Sequence, residues 1–172
     1  MNSKTEPGNF FEDFRVGQEL VHATPRTVTE GDLAVYQALF GSRFALQSGA
    51  TFAQTLGYPR CPVDDLLVFH LVFGKSVPDV SLNALANLGY AAGRFGAPVF
   101  PGDTLTAVSR VTGLKENSSG KTGVVWVRTR GVNQREEMVV EYDRWVMVRK
   151  RDPAAAAPET VIPALADAVA LD

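Results

Sequence analysis

The sequence predicts an α+β fold in which one long apolar helix is covered by an antiparallel sheet. The stretch from Asp64 to Gly74 is apolar on nearly every side, without glycine or proline before Gly74. Such a stretch favours a helix buried in protein. Downstream, polar loops separate three β-rich segments, as is typical of consecutive antiparallel strands: Leu105–Leu114, Val124–Gly131 and Met138–Val148.

The predicted central helix carries signals at both ends. Asp64 or Asp65 can cap its first turn, because a side-chain oxygen there accepts from exposed backbone N–H groups. Gly74 and Pro78 lie where the helix is expected to end. Periodicity alone does not separate a buried helix from a buried strand, so a strand over Leu66–Phe73 is the alternative.

Shorter elements are predicted ahead of the central helix. The aromatic residues of Phe10–Gln18 are expected to anchor that segment to the core, and Pro25 to interrupt an early strand. A capping box between Thr29 and Asp32 starts a helix that Gly41 ends. A loop over Ser42–Ser48 and a short helix over Phe52–Gly57 follow.

A length of 172 residues suggests one domain. We expect a disordered leader over residues 1–9, the domain over residues 10–152, and an Ala/Pro-rich linker or tail over residues 153–172. The tail is either a mobile end or the start of a connection to a second domain.

Composition argues against several classes of function. A net charge of −2 gives no basic surface for nucleic acid. No run of ~18 apolar residues and no secretory signal is present, so no membrane partner is expected. The single cysteine, Cys61, excludes an intrachain disulfide and a cysteine-based zinc site, which makes the cytoplasm the default location. The two histidines have no metal spacing, and no metal is expected.

Two motifs carry a family resemblance. The segment Phe40-Gly41-Ser42-Arg43-Phe44-Ala45-Leu46-Gln47-Ser48, followed by Phe52-Ala53 and Gly57, resembles the active-site segment of MaoC-like enoyl-CoA hydratases. That segment reads Gly-Asp-x-Asn-Pro-x-His in the family, with Phe-Ala and Gly at the same offsets. Pro98-Val99-Phe100-Pro101-Gly102-Asp103 is similar to the family's Pro-Val-x-x-Gly-Asp. The resemblance covers about Phe10 to Lys150 and implies the hotdog fold.

Within this family, the likeness is strongest to the N-terminal half of mesaconyl-CoA (2-methylfumaryl-CoA) hydratases, which also act as β-methylmalyl-CoA dehydratases. It rests on Gly41–Gln47 together with Pro62–Leu67. Those proteins hold two hotdog units in one chain. The resemblance therefore implies a lyase unit whose substrate is a short branched enoyl-CoA.

The sequence departs from the family at the catalytic dyad. Ser42 stands in place of the Asp, and Gln47 in place of the His. Serine and glutamine do not titrate near neutral pH, so they can orient water but cannot take its proton. Either they are ordinary loop residues or they line an inherited pocket. The reactive pair is expected from a second hotdog unit.

Other candidate catalytic groups belong to the central helix. Asp64 and Asp65 are either caps or functional residues. The resemblance implies that the backbone N–H of Asp65 polarises the thioester carbonyl, and one carboxylate could instead act as a base. His70 is either a core histidine or a catalytic one. His22 is expected on the surface.

Acyl-CoA binding is implied by the resemblance, with coenzyme A as part of the substrate and no further cofactor. Arg60 and Lys75 are further candidates for the phosphates, with solvated surface charge as the alternative. One hotdog unit leaves a sheet edge open, so we expect a homodimer or pairing with a second hotdog unit. The implied binding residues are Arg43, Phe44, Val63, Leu66, Arg94 and Phe95.

Three functions are compatible with these residues. The first is a hydratase/dehydratase unit for mesaconyl-CoA that depends on a second unit. The second is a non-catalytic acyl-CoA-binding subunit. The third is a hotdog thioesterase with Asp64 or Asp65 as base or nucleophile.

Overall fold

Segments that alternate between apolar and polar residues form strands here, and the uninterrupted apolar stretch forms a helix. The structure, a computed structural model, describes residues 8–41 and 44–165. In chain order the elements are a 3₁₀ turn (Phe11–Asp13), β1 (Glu19–Thr27), α1 (Glu30–Phe40), α2 (Ala45–Ser48), α3 (Ala50–Thr55), α4 (Asp65–Ser76), a π-helical turn (Val77–Ser81), β2 (Ala84–Phe95), β3 (Thr104–Glu116), β4 (Thr122–Val132) and β5 (Met138–Arg149).

The five strands form one antiparallel sheet in the order β1-β3-β4-β5-β2. The helix α4 lies against it and contacts β1, β3, β4 and β5. The predicted α+β class is confirmed, and β3, β4 and β5 coincide with the three predicted strands. In the described part of the chain β2 pairs with β5 alone, so its other side is an open edge.

The central helix is confirmed, and the strand alternative for this stretch is wrong. Its inner side packs into the core through Val68, Leu71 and Val72. The expected burial on every side is also wrong, because Leu66 and His70 are exposed. The sheet covers only one side of the helix, so its outer side stays open in the isolated unit.

The capping box of α1 is confirmed. Thr29 Oγ1 accepts a hydrogen bond from the Asp32 N–H at 3.2 Å, and the Asp32 carboxylate accepts one from the Thr29 N–H at 2.9 Å. Gly41 ends the helix in the left-handed region with φ 58°. This conformation suits glycine because it has no Cβ.

Three short segments differ from expectation. The early strand runs through Pro25, and the interruption takes the form of a register shift between His22 and Arg26. The predicted loop over Ser42–Ser48 contains the short helix α2. The run Leu82–Ala92, for which the pattern predicted no element, forms most of the edge strand β2.

Both ends of the described chain contact the sheet. Phe11 and Phe14 are fully buried, which confirms their anchoring role. In the predicted tail, Val161 and Leu114 exchange two backbone hydrogen bonds of 2.8 Å each. The described helices include none long and apolar enough to cross a membrane.

Candidate functional site

The start of α4 has a capped first turn, and it carries a carboxyl group, that of Asp65, whose pKa is raised. Asp64 Oδ1 accepts a hydrogen bond from the Leu66 N–H at 2.9 Å, which makes Asp64 the cap. Asp65 is the first helical residue, and its N–H has no partner within the helix. Burial, followed by the neighbouring Asp64 carboxylate, raises the pKa of Asp65 above its ordinary value.

A cavity of about 280 Å³ lies between α4 and the edge strand β2, and we call it the α4–β2 cavity. Two of the predicted binding residues, Leu66 and Phe95, line it together. Its walls are apolar and aromatic, which suits an acyl group better than a nucleotide. The lining residues are Leu66, Phe69, Tyr90, Ala91, Ala92, Gly93, Phe95, Val140 and Tyr142.

Other predicted binding residues lie elsewhere. Val63 is 1% exposed in the core, and its N–H donates to the Val99 carbonyl at 2.7 Å. Phe44 is exposed just before α2. The position expected for a catalytic histidine, Gln47, is buried in α2, and its carbonyl accepts a hydrogen bond from the Gln37 side chain. Ser42 and Arg43 lie outside the described residues.

The cations considered for coenzyme A phosphates are largely engaged. Arg94 pairs with Glu141 across β2 and β5 at 2.5 Å. Arg60 donates to the Pro101 carbonyl and pairs with Glu30 at 3.2 Å. Lys75 is buried and donates to the Thr24 carbonyl. Of the three, Arg60 and Arg94 keep half or more of their side chains exposed and could still meet a phosphate.

His70 is exposed, so the interpretation as a core histidine is wrong. It lines a groove of about 460 Å³ between α4 and β1, together with Arg26 and Leu71. Its ring packs edge-on against Phe69 at 5.8 Å. No hydrogen bond joins His70 to Asp64 or Asp65, although all three are described. The start of α4 thus holds no carboxylate–imidazole pair.

His22 is 3% exposed, so its expected surface position is wrong. Its Nδ1 lies 2.7 Å from Asp79 Oδ2 and its Nε2 lies 2.8 Å from Ser109 Oγ. This order of groups resembles a nucleophilic triad. Ser109 is fully buried and also lies 2.8 Å from Thr129 Oγ1, so no substrate carbon can reach its hydroxyl. The arrangement therefore holds β1, β3 and the π-helical turn together.

Sequence reasoning missed an aromatic and cationic cluster beside the cavity. Tyr90 and Tyr142 line the cavity, with ring centroids 6.2 Å apart. Arg144 is fully buried, with its Cζ 4.7 Å from the Phe73 ring centroid. A signal existed in the sequence, since Arg144 occupies the inward phase of β5 between Tyr142 and Val146. A charged side chain at such a position is rarely fully buried unless it is paired.

Tyr36 was also missed. Burial, and then the Asp64 carboxylate, raise the pKa of Tyr36. This links the helix α1 to the start of α4. Among the described residues, no group of three His, Cys, Asp or Glu side chains could hold a metal ion.

The long helix on an antiparallel sheet and the cavity beside its first turns define a MaoC-like hotdog protein. A MaoC domain protein dehydratase from Chloroflexus aurantiacus superposes with a TM-score of 0.95 at 68% identity, over 98% of this chain and 48% of that one. The chain belongs to the mesaconyl-CoA hydratase family, whose model matches residues 2–167. The predicted resemblance and the hotdog fold are confirmed.

Two curated relatives are closely similar. The β-methylmalyl-CoA dehydratase of Chloroflexus aurantiacus is 69% identical over 98% of this chain and 48% of its own length. The mesaconyl-CoA hydratase of Cereibacter sphaeroides is 62% identical over 97% of this chain and 49% of its own length. The chain thus spans about half the length of the curated relatives it matches.

A more distant structure is also matched over about half of its length. A Mycobacterium tuberculosis protein described as a double hotdog fold superposes with a TM-score of 0.80 at 28% identity, over 90% of this chain and 48% of that one. The similarity to this chain therefore covers about one half of a two-unit protein.

Proposed function

We propose that this chain is one hotdog unit of a hydratase/dehydratase that adds water to a short branched enoyl-CoA such as mesaconyl-CoA, or removes it in reverse. The observation that carries the proposal is the identity of 69% and 62%, over nearly the whole chain, with relatives named for these two reactions. The reaction moves a proton and a hydroxide, and we propose that it needs no cofactor beyond the coenzyme A of the substrate, in the cytoplasm.

We propose that a second hotdog unit supplies the reactive Asp and His. Gln47 stands where the family has its histidine, and an amide cannot take a proton from water. Of the two histidines, His22 is enclosed by Asp79 and Ser109, and His70 lies in the groove towards β1. Neither is joined to a carboxylate at the start of α4.

The open edge of β2 is the proposed contact with that second unit. Unpaired strand edges are readily extended by another strand. The edge strand exposes apolar side chains, including Leu85 at 48% and Leu88 at 45%. A second unit that continues the sheet here would cover these side chains and close the open side of the α4–β2 cavity.

The contribution proposed for this unit is electrostatic. The N–H of Asp65 is available at the positive end of α4, where it could polarise a thioester carbonyl. Asp64 holds this turn in place through its bond to Leu66. The cavity that begins at Leu66 would receive the acyl group.

Hydration assays on separate and paired units test the proposal. The chain alone, the part of the Chloroflexus aurantiacus relative that this chain does not match, also alone, and the two mixed or fused would each receive mesaconyl-CoA. We expect turnover only from the pair. Full activity of this chain alone would overturn the need for a second unit, and a stable but inactive pair would overturn the hydratase assignment.

The second candidate, a non-catalytic acyl-CoA-binding subunit, is favoured by the missing dyad together with the intact cavity. It predicts that the pair binds mesaconyl-CoA in isothermal titration without turning it over. The proposed hydratase predicts binding with turnover, so the two measurements on one sample separate the candidates.

A further inference from the structure

Arg144 is a buried cation in an apolar position of the sheet. On β5 it alternates in phase with Tyr142 and Val146 and points towards α4. Its side chain has no exposed surface. Burial lowers the pKa of Arg144, while the nearby phenols of Tyr142 and Tyr90 act in the opposite direction.

The guanidinium is only partly satisfied. Its Nη2 donates to Ser76 Oγ at 3.1 Å, and its face lies over the ring of Phe73. In the described part of the chain, neither Nε nor Nη1 makes a hydrogen bond of good geometry, although the Tyr90 hydroxyl lies near the guanidinium. No described carboxylate forms an ion pair with Arg144.

The acidic residues next to Arg144 on the same strand do not provide its counter-charge. Glu141 and Asp143 face the other side of the sheet, because side chains alternate along a strand. Glu141 pairs with Arg94 there, and Asp143 takes two hydrogen bonds of 2.8 Å from Arg128. The positive charge of Arg144 therefore lacks a counter-charge within the described unit.

The unsatisfied donors lie next to the α4–β2 cavity. Tyr90, which lines it, is the cross-strand partner of Arg144 and is 46% exposed on the edge strand. Tyr142, two residues before Arg144 on the same side of β5, lines the cavity as well. Among the described residues the hydroxyl of Tyr142 makes no hydrogen bond of good geometry, although the hydroxyls of Thr129 and Ser76 lie near it.

We propose that Arg144 binds a carboxylate that reaches it through the α4–β2 cavity. An uncompensated buried charge is costly, and the planar fork of a guanidinium matches a carboxylate with parallel hydrogen bonds. Water could satisfy the donors but would leave the charge unbalanced. The hydroxyl of Tyr142 would remain a donor near neutral pH, since burial raises its pKa to about 12.

The carboxylate comes from the acyl group of the substrate, an assignment that rests on the proposed function. A mesaconyl group is a dicarboxylic acid joined to coenzyme A through one carboxyl, so its second carboxylate is free. The same chemistry could come from an acidic side chain of the second hotdog unit, since Tyr90 lies on the proposed contact edge.

Binding by the paired protein tests the inference with two matched ligands. Mesaconyl-CoA carries the free carboxylate, whereas tigloyl-CoA has a methyl group in its place. We expect Arg144→Met to weaken mesaconyl-CoA binding by about 10- to 100-fold, the loss typical of charge-assisted hydrogen bonds. Tigloyl-CoA binding should stay within about twofold. Arg144→Lys should restore part of the loss, and Arg130→Met, which replaces an exposed arginine on β4, should change neither.

A second measurement separates the two sources and does not depend on turnover. The Nε–H resonance of Arg144 is followed by nuclear magnetic resonance in the single chain, in the pair, and in the pair with each ligand. A shift caused by mesaconyl-CoA but not tigloyl-CoA supports the substrate. A shift on pairing, with pairing weakened by Arg144→Met, assigns the carboxylate to the second unit.

A resonance that neither pairing nor mesaconyl-CoA moves would overturn the carboxylate site. An equal loss of affinity for both ligands in Arg144→Met, with pairing unchanged, would also overturn it, because a purely structural role of Arg144 predicts that result. A pair that binds mesaconyl-CoA through Arg144 without hydrating it contradicts only the proposed function.

Discussion

Val72 of α4 lies directly against the backbone of Gly131 in β4: a Cβ on Gly131 would fall 2.5 Å from Val72 Cγ2. The central helix approaches the sheet this closely because Gly131 has no side chain. We expect Gly131→Ala to lower the free energy of unfolding by about 1–3 kcal/mol, the usual cost of overpacking a core. Urea denaturation monitored by tryptophan fluorescence measures this change.

Trimming Val72 provides the control. Val72→Ala alone should cost about 2 kcal/mol, because it removes buried methyl groups. In the double variant the methyl group added at position 131 occupies part of the space left by the trimmed valine, so the total loss should be smaller than the sum. Strict additivity of the two losses would show that the contact does not limit the approach of the helix.

Asp64 acts as a helix cap, and its charge is not needed for that role. Asp64→Ala should lower the free energy of unfolding by about 1 kcal/mol because the Leu66 N–H loses its acceptor. Asp64→Asn should cost much less, since an amide oxygen also caps a helix. Thermal unfolding of both variants tests this, and equal losses from the two would contradict a capping role.

The raised pKa of Asp65 predicts that replacing its carboxylate with a neutral amide stabilises the folded chain, and that this stabilisation depends on pH. A carboxyl whose pKa is higher in the folded state stabilises that state below its ordinary pKa of 3.8. This contribution is lost as the pH rises through the folded-state pKa. Asp65→Asn should therefore be more stable than the parent chain near neutral pH, and the difference should shrink as the pH falls below 3.8.

Denaturation of both proteins across this pH range measures the difference. A second readout is the pKa of Asp65 itself, titrated by nuclear magnetic resonance. Replacing Asp64 with Asn should lower it, because one of the two causes of the shift is removed. An unchanged pKa of Asp65 in Asp64→Asn would assign the shift to burial alone.

Ser109 is predicted to be structural and chemically inert. Ser109→Ala removes the partner that lies 2.8 Å from His22 Nε2 and should cost about 1–3 kcal/mol of unfolding free energy. A fluorophosphonate reagent should leave Ser109 unlabelled in the folded chain, as mass spectrometry would show. Ser118→Ala, at an exposed loop position, is the matched control and should be near neutral.

The edge of β2 is predicted to bind the second unit. Its exposed side chains are not expected to stabilise this chain when it is alone. Leu88→Lys should leave the free energy of unfolding of this chain within about 0.5 kcal/mol, because Leu88 is a surface residue in isolation. It should weaken pairing strongly, since a charge would be buried at the contact. Analytical ultracentrifugation of the two units compares the variant with the parent, and unimpaired pairing would place the contact elsewhere.

Local signals explain what the sequence could predict. The cap at Asp64, the box between Thr29 and Asp32, and the alternation of β3 to β5 depend on residues a few positions apart. These elements are present in the structure. The family motifs allowed the hotdog fold to be predicted for the same reason. They are short segments that contain the turns at Gly41 and Gly102.

Contacts between distant residues explain what the sequence could not predict. His22 is buried by Asp79 and Ser109, which are 57 and 87 residues away. The run that forms β2 alternates weakly, and its pairing with β5 makes it a strand. Tyr90 and Tyr142 line the site only because α4, β2 and β5 meet around one cavity. The roles predicted for Asp65, Gln47 and His70 stay predictions.

The open edge of β2 also bears on how the protein is made in a cell. From the moment the sheet has folded, this strand can pair with any extended segment nearby, including the same strand of another copy. We therefore expect a longer interval between folding and docking to give more aggregation. A second unit translated on the same chain would shorten that interval, because it is held at millimolar effective concentration by its linker.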